Sequence, residues 1–183
     1  MYYIGTEGDY NVLVMELLGP NLEQLRNYCD GKLSLQTALM LTDQMISRLE
    51  NVHNNFYVHR DLKPNNFVIG RGNHMNVIYL IDFGLAKQYK DKVTGAHIPF
   101  MDKNQIIGTI RFASINAHYG VEQSRRDDLE SLCYVLIYLL KGELPWQRVD
   151  KRNEKDEEIL KCKVNTPIEK LCSGLPCTLL ISS

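Results

Sequence analysis

The sequence has few cysteines, scattered histidines and no long apolar run. None of its five cysteines forms a C-x-x-C pair with another, and the histidines add no spacing typical of a zinc site. Dispersed cysteines of this kind are typical of reduced thiols, which predicts a location in the cytoplasm and the nucleus. No stretch of 18 apolar residues occurs and the N-terminus does not resemble a signal peptide, so we expect no membrane association.

An excess of charge of one sign is also absent. Lysine and arginine total 21 against 22 aspartate and glutamate residues, which gives a formal net charge of -1. No global basic field is therefore available to attract phosphate backbones, and we expect no nucleic-acid partner. The length of 183 residues is sufficient for one domain with a hydrophobic core.

Two short motifs, with a pair of strands expected between them, indicate phosphoryl-transfer chemistry. The chain reads H-R-D-L-K-P-N-N from His59 to Asn66 and D-F-G from Asp82. Phosphoryl transfer needs a carboxylate that receives the proton of the substrate hydroxyl, and Asp61 is suited to that task. It also needs oxygen ligands for Mg²⁺, and Asn66 and Asp82 supply an amide and a carboxylate. A hairpin between the two loops would bring these groups together around one triphosphate.

These motifs and several longer stretches resemble eukaryotic protein kinases, and more narrowly the casein kinase 1 family of serine/threonine kinases. Ser114-Ile115-Asn116 stands where ordinary kinases carry Ala-Pro-Glu, a replacement typical of casein kinase 1. The likeness runs from about Tyr10 to Cys172. The stretches that carry the narrower resemblance are V-L-V-M-E-L-L-G-P, D-Q-M-I-S-R-L-E, Y-L-I-D-F-G-L-A-K, F-A-S-I-N-A-H and E-Q-S-R-R-D-D-L-E-S-L.

The resemblance implies an α+β, protein-kinase-like fold, mostly the helical C-terminal lobe with a remnant of the N-terminal lobe sheet. Residues 1–183 would form a single incomplete kinase domain, in which 1–18 are the end of the small lobe and the hinge, and 19–183 are the large lobe, truncated at its C-terminus. The kinase pattern also requires a Gly-rich loop and a lysine that holds the phosphates. The first lysine here is Lys32, and G-T-E-G is not G-x-G-x-x-G. We therefore expect the chain alone to be a very poor kinase.

The activity implied by the resemblance is transfer of the γ-phosphate of ATP, with Mg²⁺, to serine or threonine in acidic or phospho-primed proteins. Asp61 resembles the catalytic base. Lys63 follows it by two residues, the serine/threonine pattern, and would neutralise charge in the transition state. Thr109 resembles the threonine that hydrogen-bonds both residues, and ordinary turn chemistry is its alternative role. We expect the protein to act as a monomer.

The nucleotide side of the site is implied by four further positions. Backbone groups of Glu16 and Leu18 would contact adenine, and Met15 would guard the back of the pocket. Val68 would form its apolar floor, although a role in the hydrophobic core is an equal alternative. Asn66 and Asp82 would bind the nucleotide through the metal. His59 and Asp128 resemble structural residues of the catalytic loop, one packing behind it and the other holding its backbone.

The preference for acidic or phosphorylated substrates is implied by Arg111 and Lys163, which match the family's anion-binding positions. Arginine suits such a site because it contacts phosphate through two nitrogen atoms. Three nearby positions depart from the family pattern, namely Met101, Asn104 and Ile107. Lys103 is the candidate to compensate for these departures.

Two other functional classes remain open. A pseudokinase-like binding module, which docks substrates or regulators without turnover, is favoured by the missing phosphate clamp and disfavoured by the intact catalytic motifs. A small-molecule phosphotransferase with a kinase-like core is disfavoured by the casein kinase 1-like stretches.

Capping signals and periodicity predict the remaining elements. We expect a strand over 10–18, a helix from the cap Asn21 to Tyr28, a helix after the cap Ser34 with one buried face, strands over 67–69 and 77–81, an irregular segment over 82–114, a buried helix over 129–140, a solvated charge run over 151–158 and a short helix starting at Thr166-Pro167.

Overall fold

The computed structural model describes residues 2–102, 105–148 and 156–176. Lys103, Asn104 and most of the charge run 151–158 lie outside the described residues. The helices described are α1 (Leu22–Tyr28), α2 (Leu35–Asn54), α3 (Ile115–His118), α4 (Arg125–Lys141), α5 (Asp156–Val164) and α6 (Ile168–Leu171). The strands described are β1 (Tyr3–Glu7), β2 (Tyr10–Val14), β3 (Tyr57–Val58), β4 (Phe67–Ile69), β5 (Ile78–Leu80) and β6 (Lys87–Gln88).

The architecture is α+β and mostly helical, as the sequence predicts, and the described strands form three small two-stranded antiparallel sheets. The pairs are β1 with β2, β3 with β6, and β4 with β5. Within the described residues, no helix is long and apolar enough to cross a membrane.

The first two helices begin at the predicted caps. The Asn21 side chain accepts from the amide of Gln24, and the Gln24 side chain accepts from the amide of Asn21, which confirms the capping box. Ser34 Oγ accepts from the Thr37 amide at 3.2 Å. The expected buried face of α2 is narrower than its apolar pattern. Three of its apolar residues are buried, namely Ala38, Met45 and Leu49, and four are exposed, namely Leu35, Leu39, Met40 and Ile46.

The centre of the hydrophobic core is α4, which confirms the expected buried helix. It begins at Arg125, four residues before the predicted start, and ends where Gly142 adopts a left-handed φ of 85°. The core packed around it draws on α1, α2, the catalytic loop and β4, and contains the only tryptophan, Trp146. Leu129 and Cys133 are the exceptions, because they lie on the exposed side of α4.

The strands differ from prediction mainly in length. The predicted strand over 10–18 ends at Val14, because β1 offers partners only that far. The irregular segment 82–114 contains one short strand, β6, which pairs with β3.

The last described helix, α6, begins at Ile168, so Pro167 is its N-cap and not its first residue. The β4–β5 pair sets Phe67 opposite Leu80 and positions the loops that follow.

Candidate active site

Asp61 lies at the centre of a hydrogen-bonded group that brings three predicted site residues together. Lys63 Nζ lies 2.6 Å from Asp61 Oδ2. Thr109 donates to Asp61 Oδ1 through its amide at 2.9 Å and through its hydroxyl at 2.6 Å. Asp61 is 7% exposed, and Lys63 is half-buried. The predicted contact between Thr109 and Asp61 is therefore present, whereas no hydrogen bond joins Thr109 to Lys63 in the described part of the chain.

The charge of Asp61 is set by two opposing effects. Burial acts to raise the pKa of this carboxyl, whereas the hydrogen bonds from Lys63 and Thr109 and the positive charge of Lys63 act to lower it. The donors prevail, and the pKa lies below its ordinary value. Asp61 is therefore ionised at neutral pH, as a proton acceptor must be.

The backbone before Asp61 is held by Asp128 on α4. The Asp128 carboxylate accepts from the amides of His59 at 2.8 Å and Arg60 at 2.9 Å, as the sequence predicts. His53 Nε2 lies 2.9 Å from the same carboxylate. Arg60 has a φ of 67°, a left-handed conformation that a non-glycine residue keeps only when its surroundings enforce it. Asp128 supplies that enforcement.

A close approach at Gly108 completes the support. Its φ is 104°, and a Cβ atom built at this residue would lie 2.3 Å from the carbonyl oxygen of Arg60. Only glycine combines this conformation with this contact. The close packing brings Thr109, the next residue, onto Asp61.

The candidate metal ligands are positioned by the β4–β5 register. Ile81 donates its amide to the carbonyl of Asn66, which continues the ladder by one residue and places Asp82 directly after that pair. Asn66 Nδ2 donates to the carbonyl of Asp61 at 2.9 Å. The nitrogen end of the amide is thereby used, and the oxygen end is left for a cation. Asp82 is exposed with a φ of 65°.

An amide oxygen and a carboxylate suit Mg²⁺, a hard cation that takes its other ligands from water and substrate phosphates. No group of three or more His, Cys, Asp and Glu side chains is placed to hold a metal within the described part of the chain. The donor set thus fits a metal shared with a phosphate ligand. His59, fully buried, packs its ring against Phe83 at 5.1 Å and contacts the carbonyl of Ile81 at 3.1 Å, which ties the two motifs together.

The predicted nucleotide side is less enclosed. The backbone of residues 15–18 makes no hydrogen bond to other described residues, and the Met15 side chain is exposed. The chain is next fixed at Gly19, whose amide donates to the carbonyl of Ile69 at 2.8 Å. Val68 is buried beside that junction. Leu18 directly precedes this junction, and the backbone groups of Glu16 and Leu18 have no hydrogen-bond partner among the described residues.

The two predicted anion-binding residues have unlike environments. Arg111 is exposed, and its guanidinium lies 5.9 Å from the ring centroid of Phe112. Lys163 is only 3% exposed, and its Nζ donates to the carbonyls of Ile110 and Ala113. A lysine that is buried and engaged in this way does not present its charge to a substrate. The structure thus differs from the prediction for Lys163, because tertiary packing buries this side of α5.

Sequence analysis missed two acidic residues of α4 that support the site, one buried and one half-buried. Asp127 accepts from the hydroxyl of Ser114 at 2.6 Å. Glu130 accepts from the amide of Ile115 at 2.8 Å. Both bonds fix the S-I-N stretch to the helix. The available signal was the run of acids in E-Q-S-R-R-D-D-L-E-S-L, because a charged residue on a buried helix requires a partner.

A second missed group lies beside Arg60. Glu122 Oε2 accepts from Lys87 Nζ at 2.7 Å, and its other oxygen lies 3.8 Å from Arg60 Nη1. Arg60 Nε also donates to the carbonyl of Leu85 at 2.6 Å. The segment after Asp82 is thereby connected to the catalytic loop.

Comparison with protein-family models gives one match that spans nearly the whole chain. A family model described as protein kinase domain matches residues 1–175. The matched region contains the Asp61, Asn66 and Asp82 group and the acidic residues that support it.

Proposed function

The chain belongs to the protein kinase family, and from that premise we propose that it is a serine/threonine kinase of casein kinase 1 type. Its substrates would be ATP and acidic or phospho-primed proteins. The observation that carries this proposal is the ionised Asp61 held between Lys63 and Thr109. Phosphoryl transfer to an alcohol uses a carboxylate that accepts the hydroxyl proton and cations that stabilise the transferred group.

In the proposed reaction, Asp61 accepts a hydrogen bond from the substrate hydroxyl and takes its proton as the new oxygen–phosphorus bond forms. Lys63 offsets the negative charge that gathers on the transferred group. Thr109 keeps the Asp61 carboxylate in one orientation. Mg²⁺ supplies charge neutralisation for the phosphates when bound, and Asn66 and Asp82 are the residues that would hold it.

The casein kinase 1 type and its substrate preference rest on narrower observations. The S-I-N stretch is fixed by acids of the E-Q-S-R-R-D-D-L-E-S-L stretch, so the two segments that carry the resemblance are in contact. Exposed Arg111, two residues after Thr109, is the cation that supports selection of acidic or phosphorylated serine peptides. We also propose, from dispersed cysteines and balanced charge, a monomer in the cytoplasm and the nucleus.

The experiment combines nucleotide binding with phosphate transfer. We expect Mg-ATP to raise the melting temperature of the unmodified chain, and Asp82→Ala to abolish that shift. Asp61→Asn should keep the shift and lower transfer to a serine peptide by about 10³-fold or more, since it removes the proton acceptor. Asp43→Asn, a change of an exposed aspartate on α2, is the matched control and should alter neither result.

The substrate proposal has its own test. A matched pair of serine peptides, with and without phosphoserine before the acceptor, should differ in kcat/KM. Arg111→Ala should remove that difference without altering the response to Mg-ATP. Equal use of both peptides by the unmodified chain would contradict the proposed preference.

A binding module without turnover is the second candidate. It is favoured by the backbone of residues 15–18, which has no hydrogen-bond partner among the described residues, and by the solvent-exposed β1–β2 hairpin, because neither is fixed to the rest of the site. A protein that binds an acidic peptide but shows neither a Mg-ATP shift nor transfer would establish this alternative.

A further inference from the structure

The segment that follows Thr109 is held from beneath by side chains of distant elements. We call residues 110–113 the acceptor-side segment, because they continue from the residue that contacts Asp61. Lys163 Nζ donates to the carbonyls of Ile110 at 2.9 Å and Ala113 at 2.5 Å. Trp146 Nε1 donates to the carbonyl between them, that of Arg111, at 2.8 Å. One indole and one amine therefore engage three of the four carbonyls.

The carbonyl of Thr109 itself closes the same turn. It accepts from the amides of Phe112 at 2.8 Å and Ala113 at 2.9 Å. A displacement of the carbonyls of Ile110 and Ala113 would therefore strain the bonds to Thr109. Thr109 in turn donates to Asp61 through two atoms, so the connection from Lys163 to the proposed base passes through one short turn.

Lys163 is an unusual choice for a purely structural donor. Its amine lies 5.0 Å from the ring centroid of Tyr134 and 5.1 Å from that of Trp146, with no carboxylate within ion-pair distance in the described residues. Burial of an ammonium without a carboxylate is costly unless carbonyls and ring faces replace water. Carbonyls and rings here fill that role.

We propose that Lys163 is a positioning residue, which ties the two ends of the acceptor-side segment together and so holds Thr109 against Asp61. The proposal deepens the proposed kinase function and rests on it. It assigns Lys163 to the inside of the site and not to the recognition of substrate anions. Arg111 remains the exposed cation of the segment.

Several titratable groups face this amine. His118 comes from α3, and Glu130 and Tyr134 come from α4, whereas Asp156 of α5 acts on His118. Burial lowers the pKa of Lys163 to about 7, and Glu130 acts in the opposite direction. Burial, with repulsion from Lys163, lowers the pKa of His118 to about 4. Burial and Glu130 raise the pKa of Tyr134. Near neutral pH, His118 and Tyr134 are therefore uncharged while Lys163 titrates.

The test is Lys163→Met, which keeps the length of the side chain and removes its donors. Lys161→Met is the matched control, since Lys161 is exposed on the same helix. Hydrogen exchange at the amides of Phe112 and Ala113 should become about tenfold faster in Lys163→Met, because one held turn is released, and should be unchanged in Lys161→Met. This measurement needs no catalytic activity, so it separates the positioning proposal from the kinase proposal.

Activity supplies the second readout. If the chain transfers phosphate, Lys163→Met should lower kcat about tenfold with little change in the KM for ATP, because Thr109 no longer fixes the base. Unchanged amide exchange in a folded Lys163→Met variant would overturn the proposal. So would inorganic phosphate that stabilises the unmodified protein but not Lys163→Met, since that result would assign Lys163 to anion binding.

A variant that fails to fold does not end the test. In the unmodified protein, ammonium protons of Lys163 that exchange slowly in NMR spectra would support the held amine. Protons that exchange as fast as those of Lys161 would overturn it.

Discussion

The catalytic loop, residues 59–66, and the β1–β2 hairpin are both short, yet they are held by different kinds of contact. His59, Asp61 and Asn66 are buried, and side chains from α4 and from the segment around Thr109 hold their backbone and carboxyl groups. The hairpin is held by its own ladder. Its apolar side chains lie in solvent, with Tyr10 78% exposed, and none of its residues is part of the described core.

This difference separates the two halves of the proposed chemistry. Asp61 and Asn66, which would receive a proton and help to hold a metal, are preorganised by buried hydrogen bonds that do not need the hairpin. The groups that would contact adenine lie where the hairpin leads into residues 15–18 and have no comparable support. The site is therefore rigid on its acceptor side and open on its nucleotide side.

The largest loss should follow from removal of the anchor of the catalytic loop. Asp128→Ala leaves the amides of His59 and Arg60 buried without an acceptor, and we expect a loss of about 3–5 kcal/mol in the free energy of unfolding. Urea denaturation measures it, with Asp43→Ala as the exposed control. A loss below about 1 kcal/mol would mean that the loop does not depend on α4.

A smaller loss in the free energy of unfolding is expected from a substitution in the turn before Thr109. Gly108→Ala introduces a Cβ atom against the Arg60 carbonyl at a φ of 104°, and should lower the free energy of unfolding by about 1–3 kcal/mol. Gly95→Ala is the control, because its φ is also positive but its nearest neighbour lies 3.7 Å away. Equal melting temperatures for the two variants would show that backbone strain, and not the close approach, governs Gly108.

Acid should lower the free energy of unfolding through the buried residue His118. The folded pKa of His118 is about 4, below its ordinary value of 6.5, so the unfolded chain binds more protons between these values. Stability due to neutral His118 is complete above pH 6.5 and is lost as the pH falls toward 4. After allowance for partial hydration, we expect this contribution to the free energy of unfolding to be about 2 kcal/mol. The stability difference between the unmodified protein and His118→Gln, followed from pH 7 to pH 4, should shrink by this amount, and a constant difference would contradict it.

The smallest effect should come from the hairpin. Val14→Thr changes a side chain that is 43% exposed, and should alter the free energy of unfolding by no more than about 0.5 kcal/mol. The same substitution at Val58, which is fully buried, should cost about 1–3 kcal/mol. Self-association, followed by light scattering, should fall in Val14→Thr, because the substitution replaces an apolar side chain on an unpaired strand edge by a polar one. Equal losses at the two sites would show that the hairpin is part of the core.

Much of the acceptor side was accessible from the sequence because local rules and motif spacing govern it. The capping box at Asn21, the β4 strand and the meeting of Asp61 with Thr109 all follow from short patterns or from the family resemblance. Each depends on residue types that can form few other contacts, such as a carboxylate beside hydrogen-bond donors.

The remainder depends on non-local contacts that no local pattern encodes. Lys163 lies in the stretch K-C-K, which does not indicate burial, and the amine lies against the rings of Tyr134 and Trp146. The partner of Ser114 is equally hidden, because Asp127 lies 13 residues away and several other acids are near in sequence. Propensity and periodicity do not identify which acid meets which hydroxyl.

The hydrogen bonds between Asp128 and the catalytic loop also constrain when the loop can form during translation. Asp128 follows His59 by 69 residues, and a ribosome that adds about 5–20 residues per second needs roughly 3–14 s to produce that stretch. Throughout this interval the nascent H-R-D motif lacks the carboxylate that enforces the left-handed backbone of Arg60. The candidate site therefore cannot be completed before α4 is translated, although the H-R-D motif is synthesised well before that helix.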